Sequence, residues 1–228
     1  MLNLNEMGGF GSEREAFSPT VPGTPLIHFK AENIGASSWV NSGSGGATYN
    51  ATAVGTLAAG LPMSGFGSYQ LEEGEYYELA TEYVLPNTCM LVFMERKHAN
   101  GNSCFSQKSA TGGGATLLGS DASYRPFVVD SAGIYLFATD PIKNSIGKPY
   151  CFRRTGATTF QVYVGKTLVG TLTYGFGTFR IQRVGCSSAL YTFTGRTMDV
   201  LEVLVYPDLT TSANDALTYL EQKFGAYI

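Results

Sequence analysis

An all-β sandwich closed by a short C-terminal helix is the architecture this sequence predicts, on three observations. Short apolar or alternating segments, separated by turn residues, recur from residue 75 to residue 206. No helical period interrupts them, which excludes βαβ units. Charged residues make up only 14% of the 228, against about 25% in an ordinary globular chain. Their place is taken by Ser, Thr, Asn and 28 glycines, with 14 Tyr and 14 Phe. That mixture suits pleated, half-buried surfaces joined by tight turns, not the Glu/Lys/Arg face of a helical bundle.

Residues 1–24 differ from the rest. Gly8, Gly9, Gly11, Pro19 and Pro22 break any period. Two readings fit: a disordered leader, or an extended arm whose apolar residues Leu2, Leu4, Met7, Phe10 and Phe17 anchor on a partner. Residues 25–228 form the folded domain. Leu26–Lys30 opens it as a strand. Residues 35–68, rich in Gly, Ser, Ala and Thr, read as long loop with at most one strand. Strands then follow at Glu75–Ala80, Met90–Met94, Phe105–Lys108, Arg125–Asp130 and Gly133–Thr139, the last two joined by a hairpin turn.

The clearest hairpin runs Phe160–Val164, Gly165-Lys166, Thr167–Leu172. Phe160, Val162 and Val164 share one face. Gly165 suits the positive φ that a two-residue II′ turn needs first. Thr178–Val184 and Met198–Tyr206 complete the strands. The single helix is last. Ser212 caps it, with Asp215 three residues on. Ala213, Ala216, Leu217, Leu220 and Phe224 form its apolar stripe, and Gly225 stops it.

The ending carries a family likeness. Met198–Pro207, then Leu209-Thr210 and the capped helix to Phe224-Gly225, resembles the close of concanavalin A-like, laminin-G-like jelly rolls. Ser38-Trp39-Val40-Asn41-Ser42-Gly43-Ser44-Gly45 resembles their early loop, and Phe152–Gly156 with the Gly165 hairpin resembles their penultimate strands. The resemblance covers residues 25–228 and implies two curved antiparallel sheets stacked face to face. Such domains bind glycans, cleave polysaccharides or serve as structural modules. With no secretory signal and a Gly/Pro-rich arm, this one is similar to phage virion proteins.

Function classes fall away in turn. The net charge is −3 and no Lys/Arg stripe exists, which disfavours nucleic acid and anionic membrane surfaces. No apolar run approaches the ~18 residues of a membrane span. Cys89, Cys104, Cys151 and Cys186 form no CxxC pair and read as free thiols. The glycine runs Gly43–Gly46 and Gly112–Gly114 lack the Lys-Ser/Thr of a phosphate loop. Asp121, Asp130 and Asp140 are too scattered for a calcium loop, so neither metal nor cofactor is expected.

Catalysis has one candidate. The related glucanases carry Glu-x-Asp-x-x-Glu on one strand, and here Thr197-Met198-Asp199-Val200-Leu201-Glu202 keeps the last two acids. Thr197 stands where the nucleophile would be, and retaining hydrolysis needs two carboxylates ~5–5.5 Å apart. In a regular strand Asp199 and Glu202 also point to opposite faces, and nothing in the segment signals a bulge. His28 reads as a strand histidine with a hydrogen-bonded ring. No Gly-x-Ser-x-Gly elbow accompanies His98.

The expectation is therefore a protein that is not an enzyme. It is a virion structural or decoration domain on a phage capsid or tail, made in the host cytoplasm and joined to other virion proteins through its arm. The alternatives are a stand-alone carbohydrate-binding module and, behind it, a glycoside hydrolase. A homo-oligomer is compatible with the sequence. Loop-borne candidates for sugar contact are Tyr124, Arg125, His98, Asn102 and Tyr150, which pair aromatic faces with planar polar groups. Trp39 reads instead as a structural pin for the early loop.

Overall fold

A computed structural model of the chain describes residues 19–60, 63–72, 74–96, 102–108, 117–120, 125–130, 133–136, 147–173, 178–185 and 198–225. These residues contain sixteen strands and one α-helix. The all-β architecture with a short closing helix is thus the observed one.

One layer consists, in spatial order, of β1 (Ile27–Ile34), β16 (Met198–Tyr206), β7 (Cys89–Arg96), β12 (Lys148–Gly156), β13 (Thr159–Val164) and β14 (Thr167–Thr173). The other runs β2 (Ser38–Asn41), β3 (Ala51–Val54), β6 (Tyr76–Val84), β15 (Arg180–Gly185), β8 (Asn102–Ser106), β9 (Leu117–Ser120), β10 (Pro126–Asp130) and β11 (Gly133–Leu136). Every ladder is antiparallel. The layers are not separate sheets: β1 pairs with β2 across a register shift between Phe29 and Ile34, so one hydrogen-bonded surface folds over on itself. Two short strands lie off this path, β4 (Ala58–Ala59) on β5 (Tyr69–Leu71), and β5 on β16.

Alternation explains the packing. Along β13, Phe160, Val162 and Val164 are buried and the residues between them half-buried. Phe93 of β7 meets Phe105 of β8 edge-on across the interior, with centroids 5.6 Å apart. Central strands β7 and β16 are buried on both faces, because the helix covers the outer one. Only Gly165 of its turn has positive φ, at 55°, as the II′ geometry requires.

The helix, α1 (Ala213–Phe224), starts where expected. Ser212 Oγ accepts from the Asp215 amide at 3.1 Å. The stripe Ala213, Ala216, Leu217, Leu220, Phe224 packs on Val92, Cys151, Leu201 and Leu204, the outer faces of β7, β12 and β16. At the far end Ser64 Oγ donates to the Phe224 carbonyl at 2.6 Å, and Phe66 meets Phe224 edge-on.

One sequence expectation is corrected here. Residues 35–68 contain strands β2, β3 and β4, not one at most. Their short lengths carry little alternation, and they are strands because β1, β6 and β5 supply ladder partners to β2, β3 and β4 respectively. Trp39 is the pin that the sequence suggested. It is fully buried, stacks on Phe29 at 5.2 Å and donates to the Lys30 carbonyl at 2.7 Å. Asn41 holds the following glycine loop. Its Oδ1 accepts from the His28 and Gly43 amides, and its Nδ2 donates to the Leu26 and Gly46 carbonyls.

Candidate functional site

Among the described residues, the densest polar constellation is built from β16, β1 and α1. The β7–β16 ladder sets Val200 opposite Glu95 and Glu202 opposite Met94, so Leu201 is an extra residue on β16. This is a β-bulge. It overturns the expectation of a regular strand. Met198, Val200, Val203 and Val205 face the inner core, while Leu201 and Leu204 face the helix. Two residues, Leu201 and Glu202, thus separate the inward Val200 from the inward Val203. Glu202 is therefore brought to the outer face, the face Asp199 takes by alternation with Met198 and Val200. A bulge needs no glycine when its first residue lies near the α region, which is why the sequence carried no signal.

Glu202 is fully buried and receives four donors. Oε1 accepts from His28 Nε2 at 2.8 Å and the Tyr219 hydroxyl at 2.6 Å. Oε2 accepts from Lys223 Nζ at 2.6 Å and the Ala31 amide at 3.3 Å. Lys223, itself buried, also donates to Glu32 Oε2 at 2.8 Å. Burial alone would push the Glu202 carboxyl up. The His28 hydrogen bond and the Lys223 charge outweigh burial and hold it below the usual carboxylate range. Tyr219 is pushed the other way, by burial first and then by the neighbouring Glu202 charge, so its hydroxyl stays a donor. Such a carboxylate is neither exposed nor proton-bearing, and cannot hand a proton to a glycosidic oxygen. Thr197 lies outside the described residues. Sequence reasoning foresaw the bonded ring of His28. It missed Tyr219 and Lys223, although Lys223 lies four residues from Tyr219 on one helix face.

The cluster borders two clefts. One, of about 280 Å3, is lined by Pro19–Val21, His28, Lys30, Glu32, Tyr219 and Lys223. The other, of about 570 Å3, lies between β1 and residues 59–60 and 65–69. Glu32 lines both.

Of the sequence-derived sugar candidates, two are brought to one end of the second layer. Asn102 pairs with Ser120, and Ser120 with Pro126, so Asn102 and the half-buried Arg125 lie at the same end of β8 and β10, on either side of β9. Beside them Ser120 Oγ donates to the buried Glu95 Oε1 at 2.8 Å. His98 and Tyr124 lie outside the described residues, as do Leu2, Leu4, Met7, Phe10 and Phe17 of the arm. Tyr150 is a correction. It is not loop-borne but inside β12, fully buried and stacked on Phe93 at 5.2 Å. Its partners Val164 and Phe93 turn it inward with Phe152. Residues 19–24, read as arm, run along the domain. Tyr206 donates its hydroxyl to the Pro22 carbonyl at 2.9 Å, and Val21 packs on the helix-side cluster.

No known protein family matches the sequence, and no curated protein is significantly similar to it. Solved structures do share the fold. Domain 4 of AbnA, an extracellular arabinanase of Geobacillus stearothermophilus, was solved in complex with arabinotriose. It superposes with a TM-score of 0.60 at 16% identity, over 86% of this chain and 98% of that one. A structure of botulinum neurotoxin type C, whose cell entry depends on two ganglioside molecules, gives 0.58 at 10% identity, over 90% of this chain and 55% of that one. The binding domain of botulinum neurotoxin DC, in complex with rat synaptotagmin II, gives 0.58 at 12%, again over 90% and 55%. The present chain spans about half the length of the two toxin chains. At these identities the likeness establishes an all-β sandwich fold.

Proposed function

We propose that this protein is a non-catalytic binding module whose ligand is a carbohydrate. The observation that carries the reading is the superposition on nearly the whole of the arabinanase domain, which holds arabinotriose. The buried, fully bonded Glu202 supports the non-catalytic half. Glycan-array screening followed by titration calorimetry with arabino-oligosaccharides tests both parts. Saturable binding with no release of reducing ends is expected. Reducing-end release that disappears in Glu202→Gln would overturn it.

A second reading, display of this module on a phage capsid or tail, is supported by the apolar residues of the arm and by the way Pro22 and Val21 dock beside α1. Because Val21 and Pro22 contact the domain, the informative deletion is 1–18. The shortened chain is expected to fold, bind sugar as the full chain does, and fail to sediment with particles. Undiminished incorporation would sink the display role alone.

A further inference from the structure

The 570 Å3 cleft has the size of ordinary small-ligand sites, roughly 300–1,000 Å3. Its walls are Ala31, Glu32 and Ile34 of β1 on one side and residues 59–60 and 65–69 on the other. The turn at 63–66 is held in shape. Met63 and Phe66 exchange backbone hydrogen bonds of 2.9 Å around Ser64-Gly65, both at positive φ. Ser64 bonds the helix end, and Phe66 packs on Phe224 with Lys223 Nζ 4.9 Å from its ring. The cleft is therefore preformed.

Its chemistry is selective. Glu32 offers one oxygen to Lys223, which fixes the carboxylate, while the side chain stays 41% exposed. The free half is a pre-oriented acceptor for hydroxyl groups. Phe66 and Tyr69 supply aromatic wall, and Gly65 and Gly67 bare backbone. Charge disfavours anionic ligands. Lys223 is shared between Glu202 and Glu32, two carboxylates against one ammonium, so no net positive centre remains for an anion. The acceptor and the aromatic wall suit a polyhydroxylated ligand with apolar faces and no negative charge.

Gly67 points the same way. Its φ lies outside the left-handed region, and a Cβ added there would meet nothing within 4 Å. Neither backbone nor packing requires glycine. A side chain at this place would instead stand at the wall of the cleft and narrow it.

We propose that this cleft, beside the helix on the outer face of the sandwich, is the glycan subsite of the protein and takes a neutral oligosaccharide. The inference rests on the carbohydrate reading above. The probe is an array of neutral pentose and hexose oligosaccharides, arabinotriose included, together with acidic glycans, with calorimetry on each hit, using the full chain. Gly67→Leu and Glu32→Gln should each weaken binding at least tenfold, with circular dichroism and melting temperature unchanged. Should Gly67→Leu disturb folding, Glu32→Gln decides alone. If the unaltered chain binds and both folded variants bind equally well, the subsite lies elsewhere and the carbohydrate reading survives. If the unaltered chain binds nothing on the array, both fall. Hits confined to acidic glycans would overturn the subsite by contradicting its charge balance.

Discussion

Four donors converge on Glu202 because desolvating a carboxylate costs several kcal/mol unless its lone pairs are filled. His28, Tyr219 and Lys223 come from a strand 174 residues away and from the helix, so this one side chain ties the first strand to the closing helix. Glu202→Gln leaves Lys223 with only Glu32 and should destabilise the fold by about 3 kcal/mol, read from urea melts. The pH dependence has a definite sign. The folded-state pKa of Glu202 lies below its unfolded value, ~4.3. Its stabilisation is complete well above that value and is lost as pH falls through the folded pKa. The gap between wild type and Glu202→Gln should therefore be widest near neutrality and narrow in acid. A constant gap across that range would disprove the assignment of charge. Little of this was legible. His28 and Glu202 are both in the sequence, but their pairing requires β1 to lie beside β16, which local pattern cannot specify.

Among the elements, those with strong local signals were read within a few residues. The 160–172 hairpin, β16 and α1 carry alternation, a turn glycine or a cap, and each of those is enforced by its own neighbours. Ser212→Ala should cost about 1 kcal/mol, since the Asp215 amide would lose its acceptor. A thermal melt checks it, and Ser212→Asp should restore most of the loss. Strands β2 to β5 went unread because two to four residues cannot display a period. They exist through partners distant in sequence. The β16 bulge shows the same limit. Its consequence is large, since it decides which face Glu202 occupies, yet no residue type announces it. The candidate site divided likewise. Asn102 and Arg125 lie at one end of the layer, on either side of β9, whereas Tyr150 proved to be core because β7 and β13 flank it.

The whole molecule is one sheet surface folded over an aromatic-rich interior, with the outer face of its central strands sealed by α1. Cys89, Cys104 and Cys151 are buried thiols. Burial pushes the Cys89 thiol up to about 12, so almost none is thiolate at neutral pH. These three thiols should resist an aromatic disulfide reagent in the native protein and react promptly in denaturant. Rapid native labelling at any of them would mean that the sandwich opens readily. By itself the sequence determined the fold class, the strands with strong alternation, the hairpin turn and the capped helix. Those depend on residue spacing within a few positions, where backbone geometry alone sets which side chains share a face. Only the tertiary structure decided the bulge, the Glu202 cluster and the cleft beside the helix. Each is a meeting of segments far apart in the chain, and a desolvated charge finds its partners only once the layers and the helix have closed over it.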